Sequence, residues 1–178
     1  MSRIIALLIC ALLFVACKSP EARRPVSSKS GSFIDASVER NIKLNEREQT
    51  YIKKIMSENP EQEYIASENG FWYYYNVKQA DSLMSPDFGD IVTFNYNIKT
   101  LTDDIIYSKE DLKTQTYVMD KQELFSGLRE GLKLMKSGET VTFMFPSQKA
   151  YGYYGDENKI GINVPIKCEV SVNSIIDK

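Results

Sequence analysis

Gly127 and Gly131 stand four residues apart inside an amphipathic stretch, residues 124–136. Leu124, Phe125, Leu128, Leu132 and Met135 make one apolar stripe at helical spacing, with Ser126, Arg129, Glu130, Lys133 and Lys136 around it. Each interior glycine costs a helix about 1 kcal/mol against alanine. A fold that accepts this twice uses the bare backbone to bring the helix close to a sheet. Ser137-Gly138 stops the helix, with glycine at the cap. The sheet is written in the rest of the chain. Ser67-Glu68-Asn69-Gly70 is a hairpin signal between strands at 64–66 and 71–77. Over residues 90–101, Val92, Phe94, Tyr96 and Ile98 alternate with Thr93, Asn95, Asn97 and Lys99, so one face is apolar. Thr102-Asp103-Asp104 turns the chain into a short strand at 105–107, and further strands are expected at 114–119, 139–145 and 164–176. The predicted class is α+β, an antiparallel β-sheet curled around one short helix. The 17-residue loop at 147–163, rich in Gly and Tyr, is long enough to be a functional suspect.

Composition removes whole classes of chemistry. The chain of 178 residues has no histidine. That excludes Ser-His-Asp and Cys-His nucleophiles and every zinc site built on imidazole. The three cysteines, Cys10, Cys17 and Cys168, lie far apart with no C-x-x-C spacing, so no metal site and no cofactor is expected. The net charge of -2 gives no basic surplus for phosphates, so nucleic acid is not an expected partner. Eleven tyrosines and eight phenylalanines point instead to an apolar surface rich in rings.

The N-terminus reads as an address. Arg3 is followed by an apolar run at 4–16, too short for a membrane span, which needs roughly 20 residues. Phe14-Val15-Ala16-Cys17 resembles a bacterial lipobox, with Phe14 in place of the usual leucine. Residues 1–16 are therefore expected to be a lipoprotein signal peptide and Cys17 the lipidated mature N-terminus, anchoring the protein to a membrane of the cell envelope and facing the periplasm. Cys10 leaves with the signal, and Cys168, in an alternating strand, is left without an intramolecular partner. Residues 17–32 read as a flexible tether. Residues 33–66 form a helical extension with the first hairpin strand. Within it a helix is expected at 45–56, capped by Asn45 with Glu48 completing a capping box, and with Tyr51, Ile52, Ile55 and Met56 on one face. That face could pack on its own domain or on another subunit, and packing on its own domain is the preferred expectation.

Four segments in order carry a family resemblance across residues 70–177, about three fifths of the chain. Pro86-Asp87-Phe88-Gly89-Asp90-Ile91-Val92-Thr93-Phe94-Asn95-Tyr96 resembles the P-x-x-G-D-x-V-x-V-x-Y opening of the FKBP-type peptidyl-prolyl isomerases. Residues 121–128 resemble their strand-to-helix corner, and 131–139 their G-x-x-x-M-x-x-G-E helix exit. Residues 146–152 end in Ala150-Tyr151-Gly152, similar to their P-x-x-x-A-Y-G. With the lipobox, the N-terminal helix and 67–73, the chain looks like the gliding-motility-associated FKBP-type lipoproteins of Bacteroidota.

The resemblance implies an FKBP-like domain at 67–178 that isomerises Xaa-Pro bonds of proline-containing exported polypeptides. It places Tyr96, Tyr107 and Tyr117 on the wall of an aromatic cup, Leu124 and Phe125 at the helix corner beside a backbone N–H, and Leu128 on the floor. Tyr151 is the expected hydroxyl donor, Ile160 a loop contact and Cys168 the last wall position. Tyr151, Tyr96, Tyr107 and Ser108 are the implied catalytic set. Three positions depart from the family: Leu128 where tryptophan is usual, Ser108 where aspartate is usual, and Cys168 where an aromatic is usual. Leu128 and Cys168 imply a larger cup, and Ser108 removes a carboxylate but keeps a hydroxyl. These departures leave open an FKBP-shaped chaperone or scaffold without turnover. A third reading is a structural subunit of an envelope complex that uses the FKBP surface as an interface.

Overall fold

A computed structural model describes residues 30–80 and 84–178. The signal peptide, Cys17 and most of the tether lie outside the described residues. The chain divides after residue 38 into two units, Met1–Val38 and Glu39–Lys178. Helix α1, Ser30–Glu58, is far longer than the helix expected at 45–56, and residues 30–32 belong to it rather than to a tether. No proline occurs between Pro25 and Pro60, so nothing in that stretch forces a stop. Asn59 then closes the helix, its side-chain amide donating to the Ile55 carbonyl at 2.8 Å.

Within Glu39–Lys178 the strands are β1 Ile65–Ala66, β2 Trp72–Val77, β3 Ile91–Tyr96, β4 Ile98–Lys99, β5 Ile105–Tyr107, β6 Gln115–Val118, β7 Thr140–Phe145 and β8 Ile166–Ile176. Among the described residues they form one antiparallel sheet, ordered β1-β2-β7-β8-β3-β6, with β4 bridging β8 to β5. The hairpin at Asn69-Gly70 forms as expected, with Gly70 at φ +80. The strand expected over 90–101 is interrupted at Asn97. There the Asn97 N–H donates to the Glu169 carbonyl, while the Glu169 N–H donates to the Asn97 side-chain oxygen instead of its carbonyl.

The two faces of the sheet carry different loads. Trp72 and Met144, paired across β2 and β7, meet Ile52, Ile55 and Leu101, so α1 packs on its own domain as expected. Tyr51 does not join that cluster and is exposed. On the other face, Phe143 and Phe145 stack 5.4 Å apart and meet helix α3, Ser126–Leu132. This helix is shorter than the predicted 124–136. Phe125 is its N-cap in extended conformation, and beyond Leu132 the chain tightens into turns from Leu134 to Gly131 and from Met135 to Leu132. Leu128, Leu132 and Met135 are nonetheless fully buried, as their stripe requires. A four-residue helix α2, Lys109–Leu112, and a 3-10 turn, Ser147–Lys149, were not foreseen from periodicity, being too short to show any.

The glycines of α3 are where helix and sheet nearly touch. A methyl at Gly127 would stand 2.6 Å from Phe145 Cδ1 and 2.7 Å from the Lys149 carbonyl oxygen. Alanine there would favour the helix by about 1 kcal/mol, but the backbone oxygen cannot step aside. Gly127→Ala is expected to lower the unfolding free energy in urea by about 2 kcal/mol net. Gly131→Ala, which meets only the Phe143 ring at 3.0 Å, costs less. An unchanged or higher urea midpoint for Gly127→Ala would contradict this close approach.

Candidate active site

An open groove of about 610 Å³ lies at the start of α3, lined by Tyr96, Gln122, Glu123, Leu124, Phe125, Arg129 and Tyr151. Each wall has a local cause. Tyr96 is the last residue of β3 and shares the apolar face of Val92 and Phe94. Leu124 and Phe125 occupy the extended corner that precedes α3, which leaves both half-buried. Tyr151 follows the 3-10 turn, and its ring centroid lies 5.2 Å from that of Phe125. Phe125 in turn meets Phe145 edge-on at 5.6 Å, so the sheet braces the groove wall from below. Arg129 brings the one cationic side chain among these lining residues, its Nε 3.5 Å from Glu130 and 3.7 Å from Asp120.

The tyrosines around the groove divide by what their hydroxyls do. Tyr107 donates to Asp156 at 2.5 Å and accepts from the Asn158 amide at 3.0 Å, with Lys159 4.6 Å above its ring. Tyr117 donates to the Gln122 carbonyl at 3.3 Å and is buried. Tyr96 and Tyr151, by contrast, have no hydrogen-bond partner for their hydroxyls among the described residues. Burial first, then the neighbouring Cys168, pushes Tyr96 up to about 12. Burial, and then Tyr96 and Cys168, likewise holds Tyr151 above the ordinary tyrosine range. Both hydroxyls therefore stay protonated at neutral pH, as donors.

Of the residues expected to form the cup, the groove brings together Tyr96, Leu124, Phe125 and Tyr151. Tyr107 reaches it only through the 147–163 loop, which it ties down. Leu128 and Cys168 are fully buried, and Ile160 nearly so, behind the groove rather than on its surface. Leu128 and Cys168 thus fill the core behind the site instead of opening a larger cup. Burial also drives the Cys168 thiol well above its ordinary value, so it is an inert apolar group. Ser108 departs furthest from its expected role. Its hydroxyl accepts the Asp111 N–H at 3.2 Å, and its own N–H donates to Asp111 at 3.0 Å, a capping box for α2 that turns it away from the groove chemistry.

Two carboxylates escaped the sequence reading. Asp156 accepts from Tyr107 and also from the N–H groups of Asn158 at 3.0 Å and Ile160 at 2.7 Å. Partial burial opposes its charge, but these bonds outweigh it and hold the carboxyl below the ordinary range. The loop closes so tightly there that a side chain on Gly155, at φ +71, would meet the Ile160 carbonyl at 2.2 Å. An Asp after glycine, two residues before Asn158, is the local signal for such a side-chain-to-backbone turn. Glu48 is the second, read as a cap partner and found deep in a helix–loop contact. Its signal was its place on the Leu44–Ile52–Ile55 side of α1, where an acid is out of keeping with its neighbours.

Comparison with known proteins agrees with this geometry. The profile of the family described as FKBP-type peptidyl-prolyl cis-trans isomerase matches residues 84–173. The chain is 28% identical over 101 residues to the probable FKBP-type peptidyl-prolyl cis-trans isomerase FkpA of Neisseria meningitidis, covering 57% of this chain and 37% of that one. It is 30% identical over 104 residues to the peptidyl-prolyl cis-trans isomerase Mip of Coxiella burnetii, covering 58% and 45%. The match thus spans less than half the length of either relative. Among solved structures, FkpA from Escherichia coli superposes with a TM-score of 0.61 at 21% identity, over 98% of this chain and 81% of that one. A peptidyl-prolyl cis-trans isomerase from Pseudomonas syringae pv. tomato gives 0.60 at 18%, over 75% and 94%. These structural likenesses carry the fold, an antiparallel sheet with a short helix, and the profile carries the family. The chain belongs to the FKBP-type peptidyl-prolyl cis-trans isomerases.

Proposed function

We propose that this protein isomerises Xaa-Pro bonds in exported polypeptides while held to a membrane by lipid on Cys17. The observation that carries the reading is the pair of protonated hydroxyls, Tyr96 and Tyr151, without a hydrogen-bond partner among the described residues, on a groove whose apolar wall is Leu124 and Phe125. Rotation about the prolyl bond crosses a barrier of roughly 20 kcal/mol set by amide resonance. No nucleophile and no lasting proton transfer is required. A catalyst must bind the twisted amide better than the planar one. Twisting breaks resonance and makes the amide less polar, so an apolar wall favours it. A hydroxyl from Tyr151 and a backbone N–H at the Leu124–Phe125 corner then hold the carbonyl as it rotates. Tyr107, Tyr117 and Ile160 shape the loops around this site, and Leu128 and Cys168 pack behind it.

Exchange of an Xaa-Pro peptide, followed by NMR with the full chain, tests this. Turnover is expected with apolar residues favoured before proline. Because both tyrosine pKa values lie above 10, kcat/KM should stay flat from about pH 6 to 9. Tyr151→Phe should retain the fold and lose about tenfold in kcat/KM, the worth of one modest hydrogen bond. No acceleration by folded wild-type protein would remove the isomerase reading, and a Tyr151→Phe protein as active as wild type would move the site elsewhere.

The location rests on the N-terminal sequence. Among the described residues no helix is long and apolar enough to cross a membrane. The 4–16 run ending at Ala16-Cys17 supports lipid attachment, and more than one acyl chain gives stable anchoring. The likeness of that pattern, α1 and residues 67–73 to the gliding-motility lipoproteins suggests envelope proteins of that machinery as substrates. Cys17→Ser should abolish fatty-acid labelling and leave the protein uncleaved or released. Continued palmitate incorporation by that variant would overturn the anchor.

A further inference from the structure

Glu48 lies midway along α1 with only 5% of its surface exposed. Both its carboxylate oxygens are used, and both go to one residue 99 positions away. Oε2 accepts the Ser147 backbone N–H at 2.8 Å, and Oε1 accepts the Ser147 hydroxyl at 2.8 Å. Ser147 opens the 3-10 turn Ser147–Lys149, where backbone N–H groups lack partners within the turn. Its own carbonyl then receives the Ala150 N–H at 3.0 Å and the Gly152 N–H at 2.8 Å, the two residues that flank Tyr151.

Holding α1 against the sheet does not require this carboxylate. Ile52 and Ile55 already do so through Trp72 and Met144. A buried charge costs several kcal/mol in desolvation unless its bonds are well formed, and an apolar side chain at position 48 would avoid that cost. What the carboxylate adds is two acceptors matched to the two donors of Ser147. A second contact runs alongside, from the Gln148 side-chain amide to Asn45 at 2.9 Å. On the opposite side the turn is held by α3, where the Ser126 hydroxyl reaches the Lys149 carbonyl at 3.4 Å. Tyr151 therefore hangs from a turn clamped between two helices, one of them outside residues 84–173, the part that matches the family.

We propose that Glu48 is a positioning residue for the isomerase site: its carboxylate fixes Ser147, and through Ser147 the place of the Tyr151 hydroxyl in the groove. The inference rests on the reading of Tyr151 as the group that meets the substrate carbonyl. In Glu48→Gln the shape is kept but the charge is lost. The amide can hold the Ser147 N–H through its oxygen and the Ser147 hydroxyl only by reversing that bond, so both contacts survive as weaker, neutral hydrogen bonds. The turn then samples positions in which the hydroxyl misses the rotating carbonyl, while the Leu124–Phe125 wall is untouched.

The test is a double-mutant cycle in the full chain: wild type, Glu48→Gln, Tyr151→Phe and the pair, each assayed on the same Xaa-Pro peptide. Glu48→Gln is expected to lower kcat about fivefold with KM little changed. On the Tyr151→Phe background that loss should vanish, because no hydroxyl remains to misplace. Wild-type turnover in Glu48→Gln, or losses that multiply in the double variant, overturns the inference. Should Glu48→Gln fail to fold, Ser147→Ala removes the hydroxyl bond alone and is expected to lose about twofold, with the same cancellation; independent losses there overturn it equally. Absence of turnover in wild type would instead sink the isomerase reading. The clamp is then read from amide hydrogen exchange: Gly152 and Ser147 should lose protection in Glu48→Gln, and unchanged protection contradicts the proposal.

Discussion

The groove depends on one contact, the bare backbone of Gly127 and Gly131 resting on the rings of Phe145 and Phe143. Because α3 sits this close to β7, its N-cap Phe125 reaches both Phe145 and Tyr151. The same approach sets the Lys149 carbonyl against Gly127, which places the 3-10 turn and so the opposite wall. Two methyl groups would be enough to push the walls apart. The cost in helix propensity is offset by burial of Leu128, Leu132 and Met135, each fully closed to solvent.

The long loop at 147–163 has little regular structure, yet it is pinned at two places by carboxylates that accept backbone N–H groups. Glu48 holds its start and Asp156 its middle, and Tyr107 locks Asp156 to β5. Glu139 does the same for the α3 exit, accepting from Lys136 at 2.8 Å and Gln79 at 3.1 Å. Charge-assisted bonds of this kind are stronger than neutral ones. They let a chain without histidine fix the loop that presents Tyr151. The division of labour among those tyrosines follows: Tyr107 and Tyr117 spend their hydroxyls on the scaffold, and Tyr96 and Tyr151 keep theirs for the groove.

The features legible in the sequence were those with a local period or a local cap. Alternation through Val92, Phe94 and Tyr96 gave β3, and the glycines of α3 announced the close approach before any partner was visible. The four ordered motifs grouped Tyr96, Leu124, Phe125 and Tyr151, and all four line one groove. What misled were patterns whose meaning depends on distant partners. Asn45 and Glu48 have capping-box spacing, but the helix runs through them, and they bond to Gln148 and Ser147 instead. Ser108 sits where a carboxylate is usual, yet its nearest donor is three residues ahead in a cap, while Asp156 brings the carboxylate to Tyr107 from a different loop. Leu128 and Cys168 looked like a widened cup because their burial could not be seen from spacing alone.

The central claim is that the twisted prolyl amide sits between Phe125 and the hydroxyls of Tyr96 and Tyr151. The most direct measurement is isotope-edited NMR of the full chain with a bound macrolide-type ligand that mimics such an amide. The account predicts ligand contacts to the Tyr96, Phe125 and Tyr151 rings and a shifted amide at the Leu124–Phe125 corner. A ligand seated instead in the smaller cavity beside Leu44, Gln148 and Tyr153, with those rings unperturbed, would contradict it.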